Sequence, residues 1–344
     1  MSSHAEILEQ PARLEQLLKN QRGQVQEIAR AIQKRDIAYV FLAARGTSDN
    51  AGRYANYLWG ARNRLSMALA TPSLFTYYQQ PPSLKGALVV CISQSGQSPD
   101  VISVLEEGKR QGCLTLAITN SPASPLAGAA DLVLDTQAGK ETAVAATKTY
   151  TAELMAVAML SAALRENPAD WDELASVPAW AEQALKLDES IARMSQRYRY
   201  MQRCVVLGRG FNYATAFEWS LKLKEMTYVA AEPYSSADFL HGPIALVEFG
   251  FPVLAIAPQG KVFTSMLEVL DEVRQRGAEL VVISNANQAL DLAQSPVPLP
   301  AGIPEWLTPP VGIIPAQLFA YHLTCVKGLN PETPRSIHKV TETV

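Results

Sequence analysis

The sequence predicts an α/β protein of two tandem doubly wound parallel-sheet domains, each a three-layer α/β/α arrangement. Three observations predict it. The apolar runs within Tyr39–Gly46, Ala87–Ile92 and Leu114–Asn120 are continuous rather than alternating, as in parallel strands covered on both faces. Segments of helical character separate them, two ending at Gly112 and Gly277, the expected place for a C-terminal glycine. The whole pattern also occurs twice: Gly46 recurs as Gly210 and Gly96 as Gly260, each 164 positions on (210 − 46 and 260 − 96), and Asn120 recurs as Asn285, 165 on (285 − 120). Such a displacement is duplication at domain scale rather than a solenoid repeat of roughly 20–50 residues.

The elements follow in order. Residues 1–35 form an N-terminal helical segment, with an amphipathic helix from Ala12 to Arg35. The first domain, 36–167, alternates a strand segment within Tyr39–Gly46, a helical segment Asn50–Leu65, strand Ala87–Ile92, helix Val101–Gln111 and a strand segment within Leu114–Asn120. A helical connector, 168–198, leads to the second domain, 199–334, with strand segments within Cys204–Gly210, Pro252–Gly260 and Glu279–Asn285 and a helix Phe263–Arg276. The proline-rich stretch Pro296–Pro315 is predicted as a loop with one short final strand, followed by a last helix Ala316–Lys327 and a polar tail, 335–344.

Composition narrows the function classes. The 344 residues are 48% hydrophobic and 18% charged with a net charge of −3, which fits a soluble globular protein. No basic stripe suggests nucleic acid, and no apolar run reaches the roughly 20 residues a bilayer needs, so neither partner is expected. The start Met1-Ser2-Ser3-His4 lacks a basic stretch and apolar region for export, giving a cytoplasmic expectation. Cys91, Cys113, Cys204 and Cys325 lie singly in apolar segments and read as buried hydrophobes. The four histidines show no ligand spacing, so no metal is expected. The chain has no Gly-x-x-x-x-Gly-Lys-[Ser/Thr], and Gly208-Arg209-Gly210 lacks a third glycine, so no ATP, NAD or other cofactor is expected.

The most informative stretch is Ser93-Gln94-Ser95-Gly96-Gln97-Ser98, placed between an apolar strand and a helix. Neutral donors and the positive end of the following helix suit a phosphate monoester. Gly46-Thr47-Ser48, after the preceding strand, would lie beside it in a parallel sheet. Serine and glycine also make ordinary turns. The second copy, however, reads Ala257-Pro258-Gln259-Gly260-Lys261, without the hydroxyls, so duplication alone does not explain the loop. The first unit is expected to hold a phosphate and the second to contribute something else.

Acid–base candidates fall in that second unit. Lys222 and Glu225 lie three apart and share a helix face, where a carboxylate can move a proton while a cation steadies a developing enolate oxygen. Such a spacing is ordinarily a solvated ion pair. His241 precedes the Gly242-Pro243 break and is expected in a loop, with a near-neutral pKa suited to sugar-ring opening. Lys339 lies in the tail.

Taken together, Gly46-Thr47-Ser48, the Ser93 to Ser98 loop, Ala143-Val144-Ala145-Ala146-Thr147-Lys148, Leu221 to Glu225, His241-Gly242-Pro243 and Lys339-Val340-Thr341 resemble the sugar-isomerase (SIS) family, over nearly the whole chain. The likeness is to the isomerase half of glutamine:fructose-6-phosphate amidotransferase, and implies two flavodoxin-like SIS domains. It further implies that Thr47, Ser48, Ser93, Gln94, Ser95 and Ser98 hold the sugar phosphate, with the backbone from Val144 to Ala146 beside the sugar. By the same resemblance Glu225 moves the proton between carbons 1 and 2, Lys222 supports the enolate-like oxygen, His241 opens the ring and Lys339 can form a Schiff base with the open-chain ketose. The family also implies a homodimer whose site is shared, His241 coming from the neighbouring subunit.

Two departures shape the expected activity. Ala146 replaces a serine of the synthase, and the chain lacks the synthase's glutamine-hydrolysing domain, so release of amine is the expected direction. The resemblance is therefore to an SIS-type glucosamine-6-phosphate deaminase, converting glucosamine 6-phosphate and water to fructose 6-phosphate and ammonia. A fructosamine-6-phosphate deglycase and a plain phosphosugar isomerase are the enzymatic alternatives, and a non-catalytic sugar-phosphate sensor the alternative of another class.

Overall fold

A computed structural model describes residues 2–337 together with Lys339. The remainder of the Val340-Thr341 motif and of the 335–344 tail lies outside the described residues. The chain sorts into two compact units, one of Ala12–Glu141 and Lys148–Ser176 with Lys339, the other of Met1–Pro11, Thr142–Thr147 and Val177–Ile337.

The first unit holds a five-stranded sheet of β1 (Tyr39–Ala43), β2 (Ser66–Leu69), β3 (Ala87–Ile92), β4 (Leu114–Thr119) and β5 (Leu132–Asp135). The order is β2-β1-β3-β4-β5 and every pairing is parallel. All residues of β3 and β4 are buried, which is why those strands read as unbroken apolar runs. Edge strand β2 is largely exposed, and neither it nor β5 carries a comparable run, so both were invisible to periodicity.

The second unit repeats the plan with β6 (Arg203–Gly208), β7 (Ala230–Ser235), β8 (Pro252–Ile256), β9 (Glu279–Ser284) and β10 (Ser295–Pro298), again all parallel. Its order, β10-β9-β8-β6-β7, is the first unit's order read from the opposite edge. Both sheets are thus doubly wound around a switch point beside their first strand, with helices on both faces, the expected architecture. Ligands of such sheets bind at the carboxyl ends of the strands.

Several helices differ from expectation. The N-terminal segment is two helices, Ser3–Leu8 and Gln10–Gln33, the short first one capped by the Ser2 hydroxyl accepting from Ala5 N at 3.2 Å. The helix expected from Asn50 begins at Gly46 and ends at Asn63, because the chain turns at extended Arg45 and at Gly46, whose φ of +53° suits glycine. Thr47 and Ser48 therefore occupy a first helical turn rather than a loop. The connector comprises Pro168–Leu185, Asp188–Ser195 and a single tight turn to Tyr198.

The largest correction concerns Pro296–Pro315. After β10, helix Thr308–Val326 absorbs three of its prolines. Pro309 and Pro310 fall in the first turn, where a missing N–H costs nothing, while Pro315 forfeits one internal bond. Burial of every residue from Thr308 to Ala320 outweighs that loss, at roughly 1.5–3 kcal/mol for each large aliphatic side chain. Among the described residues no helix is long and apolar enough to cross a membrane.

Candidate functional site

The first unit places the two candidate anion-binding turns, the cradle expected from the sequence, at the carboxyl ends of its neighbouring strands β1 and β3. Helix Pro99–Arg110 follows the serine-rich loop, with proline at its first position and Ser98 as an extended N-cap that makes no side-chain capping bond. Ser93 Oγ accepts from Gly96 N at 3.1 Å and Ser95 Oγ accepts from Gln97 N at 3.3 Å. A hydroxyl that accepts keeps its proton for a ligand. Gly96 has φ +63°, and a Cβ there would sit 2.0 Å from Ser124 Oγ, so both conformation and space require glycine. The Gln94 carbonyl, accepting from Asn120 N at 3.2 Å, ties the loop to the end of β4.

The second donor turn is fastened to the first. Arg45 Nε donates to Asp100 Oδ2 at 2.6 Å, linking the start of helix Gly46–Asn63 to the first turn of helix Pro99–Arg110. Asp100 is fully buried and Arg45 half-exposed, so the cradle has a cation at its edge that the loop sequence did not disclose. Ser48 behaves differently from Ser93. Its hydroxyl donates at 2.8 Å to Oε1 of buried Glu153, on helix Lys148–Arg165, and in this arrangement offers a ligand only its acceptor side. Glu153 was not anticipated; it lies far along the chain and reads as an ordinary polar residue within an apolar helix.

Lys339 belongs to the same unit. Its Nζ pairs with Glu141 Oε2 at 2.5 Å, and Glu141 also accepts from Thr149 N at 3.2 Å and Thr149 Oγ1 at 2.8 Å. The buried carboxylate thus caps the start of helix Lys148–Arg165 and holds the lysine at once. A lysine becomes a nucleophile only as the free amine.

In the second unit, Lys222 ends helix Tyr213–Lys222, and Glu225 lies in the wider π-helical turn Leu223–Thr227 that follows. Such turns re-aim side chains and are frequent at functional sites. Lys222 Nζ lies 2.6 Å from Glu225 Oε2 and 3.3 Å from Glu218 Oε1. The expected pair is therefore a Glu–Lys–Glu triad, and Glu218 was legible only as a residue four positions before Lys222. It is not a solvated surface pair: Lys222 is 1% exposed and Glu218 0%, whereas Glu225 is 24% exposed. Burial by itself would depress the Lys222 pKa, but the Glu218 and Glu225 carboxylates overcome it and hold the ammonium above the ordinary lysine range. Glu225 is the member a substrate can reach.

His241 caps helix Ser236–Leu240, exposed, before Gly242 at φ +132° and the tight turn Pro243–Leu246. Val144 and Ala146 are half-buried in the short segment Thr142–Thr147. That segment is gripped from two sides. Buried Glu6 accepts from Thr142 N at 2.6 Å, Thr142 Oγ1 at 3.0 Å and Ala143 N at 3.2 Å, and Gln317 Nε2 donates to Thr147 O at 3.2 Å. Neither Glu6 nor Gln317 was visible from the sequence, since each acts on residues more than a hundred positions away.

The candidate residues divide between the units. Thr47, Ser48, Ser93, Gln94, Ser95, Ser98 and Lys339 belong to the first; Val144, Ala146, Lys222, Glu225 and His241 belong to the second. One expectation about sulfur needs correction: Cys91, Cys113 and Cys204 are buried, but Cys325 is exposed, because it lies on the outer side of helix Thr308–Val326 where the buried stretch gives way.

Comparison with known proteins agrees with this architecture. Residues 35–163 and 199–327 each match the SIS domain. Over 343 residues the chain is 34% identical to the glutamine–fructose-6-phosphate aminotransferase (isomerizing) of Thermococcus kodakarensis, covering 97% of this chain and 56% of that protein. The chain thus spans little more than half the length of the curated relatives it matches. Among solved structures, the C-terminal domain of glucosamine-fructose-6-phosphate aminotransferase from Francisella tularensis superposes with a TM-score of 0.87 at 30% identity, covering 96% of this chain and 97% of that one. A glucosamine-6-phosphate deaminase from Thermotoga maritima shares the fold, with a TM-score of 0.77 at 21% identity over 98% and 99% of the two chains. Two duplicated doubly wound sheets, a serine-lined turn on the first and two matching stretches of sequence lead to one conclusion: the chain belongs to the SIS domain family.

Proposed function

We propose that the chain is a phosphosugar-isomerase-type enzyme that deaminates an amino sugar phosphate, converting glucosamine 6-phosphate and water to fructose 6-phosphate and ammonia. The observation that carries the reading is the asymmetric triad: a buried ammonium between a fully buried carboxylate and one that solvent reaches. The arrangement keeps a charge-stabilised base at the surface of the site, as proton transfer between adjacent carbons requires. In the proposed reaction Glu225 takes the C2 proton of the open-chain aldehyde, giving an enolamine, and returns it to C1. The product is a fructose imine; water adds at C2 and ammonia leaves. The Lys222 charge offsets the negative charge that develops on the C1 oxygen.

In this reading Thr47, Ser93, Gln94, Ser95 and Ser98 hold the phosphate, Ser48 joins them by turning its hydroxyl from Glu153 to donate, and Val144 and Ala146 line the sugar. His241 opens the ring, and Lys339 acts on the open-chain ketose with Glu141 as its proton acceptor. The isomerase-type relatives at 30% identity and above support the reaction class, whereas the deaminase neighbour supports the fold alone. The active form is proposed to be a homodimer. Leu240, Leu246 and Phe249, all exposed within a few residues of His241, provide apolar surface for a second copy.

The test is to incubate the purified protein with glucosamine 6-phosphate and measure ammonia and fructose 6-phosphate, with fructosamine 6-phosphates in parallel. Equal yields of ammonia and ketose from glucosamine 6-phosphate support the proposal. No ammonia from glucosamine 6-phosphate would reject deamination, interconversion of glucose 6-phosphate and fructose 6-phosphate alone would assign a plain isomerase, and turnover confined to fructosamine 6-phosphates would assign a deglycase.

A further inference from the structure

We propose that His4, Asp188 and His322 form a binding site for a divalent transition-metal ion of the zinc type, which pins the N-terminal helix within the second unit. The three residues are far apart in sequence and carry no ligand spacing there, yet the fold converges them. His4 Nε2 lies 2.9 Å from Asp188 Oδ2 and His322 Nε2 lies 2.6 Å from Asp188 Oδ1, so two imidazoles face one carboxylate from its two oxygens. One ligating atom from each residue falls within 4.8 Å of the other two.

The donor set selects the ion. Two imidazole nitrogens and one carboxylate oxygen suit zinc and its neighbours rather than calcium or magnesium, which prefer all-oxygen shells. With metal–nitrogen bonds of about 2.0–2.1 Å and a metal–oxygen bond of about 2.0–2.2 Å, the ligating atoms need to stand roughly 3.3 Å apart. The His4 and His322 nitrogens, 2.9 and 2.6 Å from the carboxylate, open by about 0.4 and 0.7 Å to reach that spacing, and the three ligating atoms already lie within 4.8 Å of one another. On binding, the ion displaces the proton that each Nε2 shares with Asp188, and each neutral ring then carries its one proton on Nδ1. Three protein ligands leave a fourth position for water, and side-chain exposures of 26%, 25% and 17% for His4, Asp188 and His322 leave a path for entry.

The surroundings are built to orient these rings. Tyr321 stacks on His4 with ring centroids 4.8 Å apart, and His322 meets the same ring edge-on at 5.7 Å. Glu332 fixes the start of helix Ser3–Leu8, accepting from Ser3 N at 3.0 Å and Ser3 Oγ at 2.7 Å. The consequence reaches beyond the ion. Helix Ser3–Leu8 carries Glu6, which holds Thr142 and Ala143, so an ion joining that helix to helices Asp188–Ser195 and Thr308–Val326 also firms the segment containing Val144 and Ala146.

The experiment uses the full chain, stripped with a chelator, and Zn2+ alone as the probe, titrated against a chromophoric zinc indicator with thermal unfolding in parallel. The expected result is about one ion per chain and a melting temperature raised by Zn2+. His4→Gln retains a hydrogen-bond donor toward Asp188 while losing the imidazole. It should melt as the wild type does in chelator yet bind Zn2+ at least roughly tenfold more weakly, since even outer-shell changes cost about 10–100-fold. Asp188→Asn and His322→Gln should weaken binding likewise, and His241→Gln should not. Absence of stoichiometric binding by the wild type overturns the proposal, as does undiminished binding by the His4→Gln/His322→Gln double variant.

Discussion

Lys222 Nζ stands 2.6 Å from Glu225 Oε2, with buried Glu218 closing the other side at 3.3 Å. Because Glu225 alone of the three meets solvent, removing its charge should separate chemistry from binding. Glu225→Gln is expected to lower kcat by about 10²–10⁴-fold while sugar-phosphate affinity changes little. Steady-state kinetics with a titration of fructose 6-phosphate checks this, and retained turnover would remove Glu225 from its role.

Replacing the cation has a different signature. Lys222→Met strands Glu218 as an uncompensated buried charge and should cost about 3–5 kcal/mol in urea unfolding, with Glu218→Gln in the same chain restoring part of it. The folded-state pKa of Lys222 is raised above its unfolded value, so its contribution is fully present below about pH 10.4 and is lost as pH climbs through the folded value. Measured against Lys222→Met/Glu218→Gln, in which no buried carboxylate is left at 218, the deficit should therefore be constant from pH 7 to 9 and shrink only in stronger alkali. A deficit that varied between pH 7 and 9 would contradict this assignment.

At the cradle, Gly96→Ala combines a left-handed backbone with a Cβ 2.0 Å from Ser124 Oγ. The conformation alone costs about 1–2 kcal/mol, and relief of the clash must move the loop. Both a lower melting temperature and weaker binding of fructose 6-phosphate by calorimetry are expected. Normal affinity would show that the loop does not hold the phosphate.

Glu6 should matter despite sitting in the first short helix. Glu6→Ala removes the acceptor facing Thr142 N and Ala143 N, a cost of about 1–3 kcal/mol at the buried Ala143 amide. Hydrogen exchange should rise at residues 142–147. Unchanged protection there would mean the segment is held by Gln317 alone.

Cys325 should be the one thiol that reacts quickly in the folded chain, since Cys91, Cys113 and Cys204 are buried. Burial of its surroundings raises the Cys325 pKa, so the reaction should accelerate as pH rises above 8. A disulfide-exchange titration of the wild type against Cys325→Ser measures this, and fast reaction surviving in that variant would contradict the assignment.

The sequence by itself determined the fold class, the duplication and the place of the serine-rich turn between a strand and a helix. Each is a local property: runs such as Ala87–Ile92 announce a strand covered on both faces, and Ser93 to Ser98 is contiguous. Lys222 and Glu225 were legible for the same reason, being one helical turn apart. Only the tertiary structure decided what surrounds them. It placed Glu153 against Ser48, Asp100 against Arg45, Glu141 against Lys339 and Glu6 against Thr142, partners between 55 and 198 positions apart. Long-range pairs leave no periodicity to read, because chain topology rather than local propensity brings them within hydrogen-bonding distance. The helix Thr308–Val326 makes the same point for the backbone: its prolines argue locally against a helix, and burial among neighbouring elements overrides them.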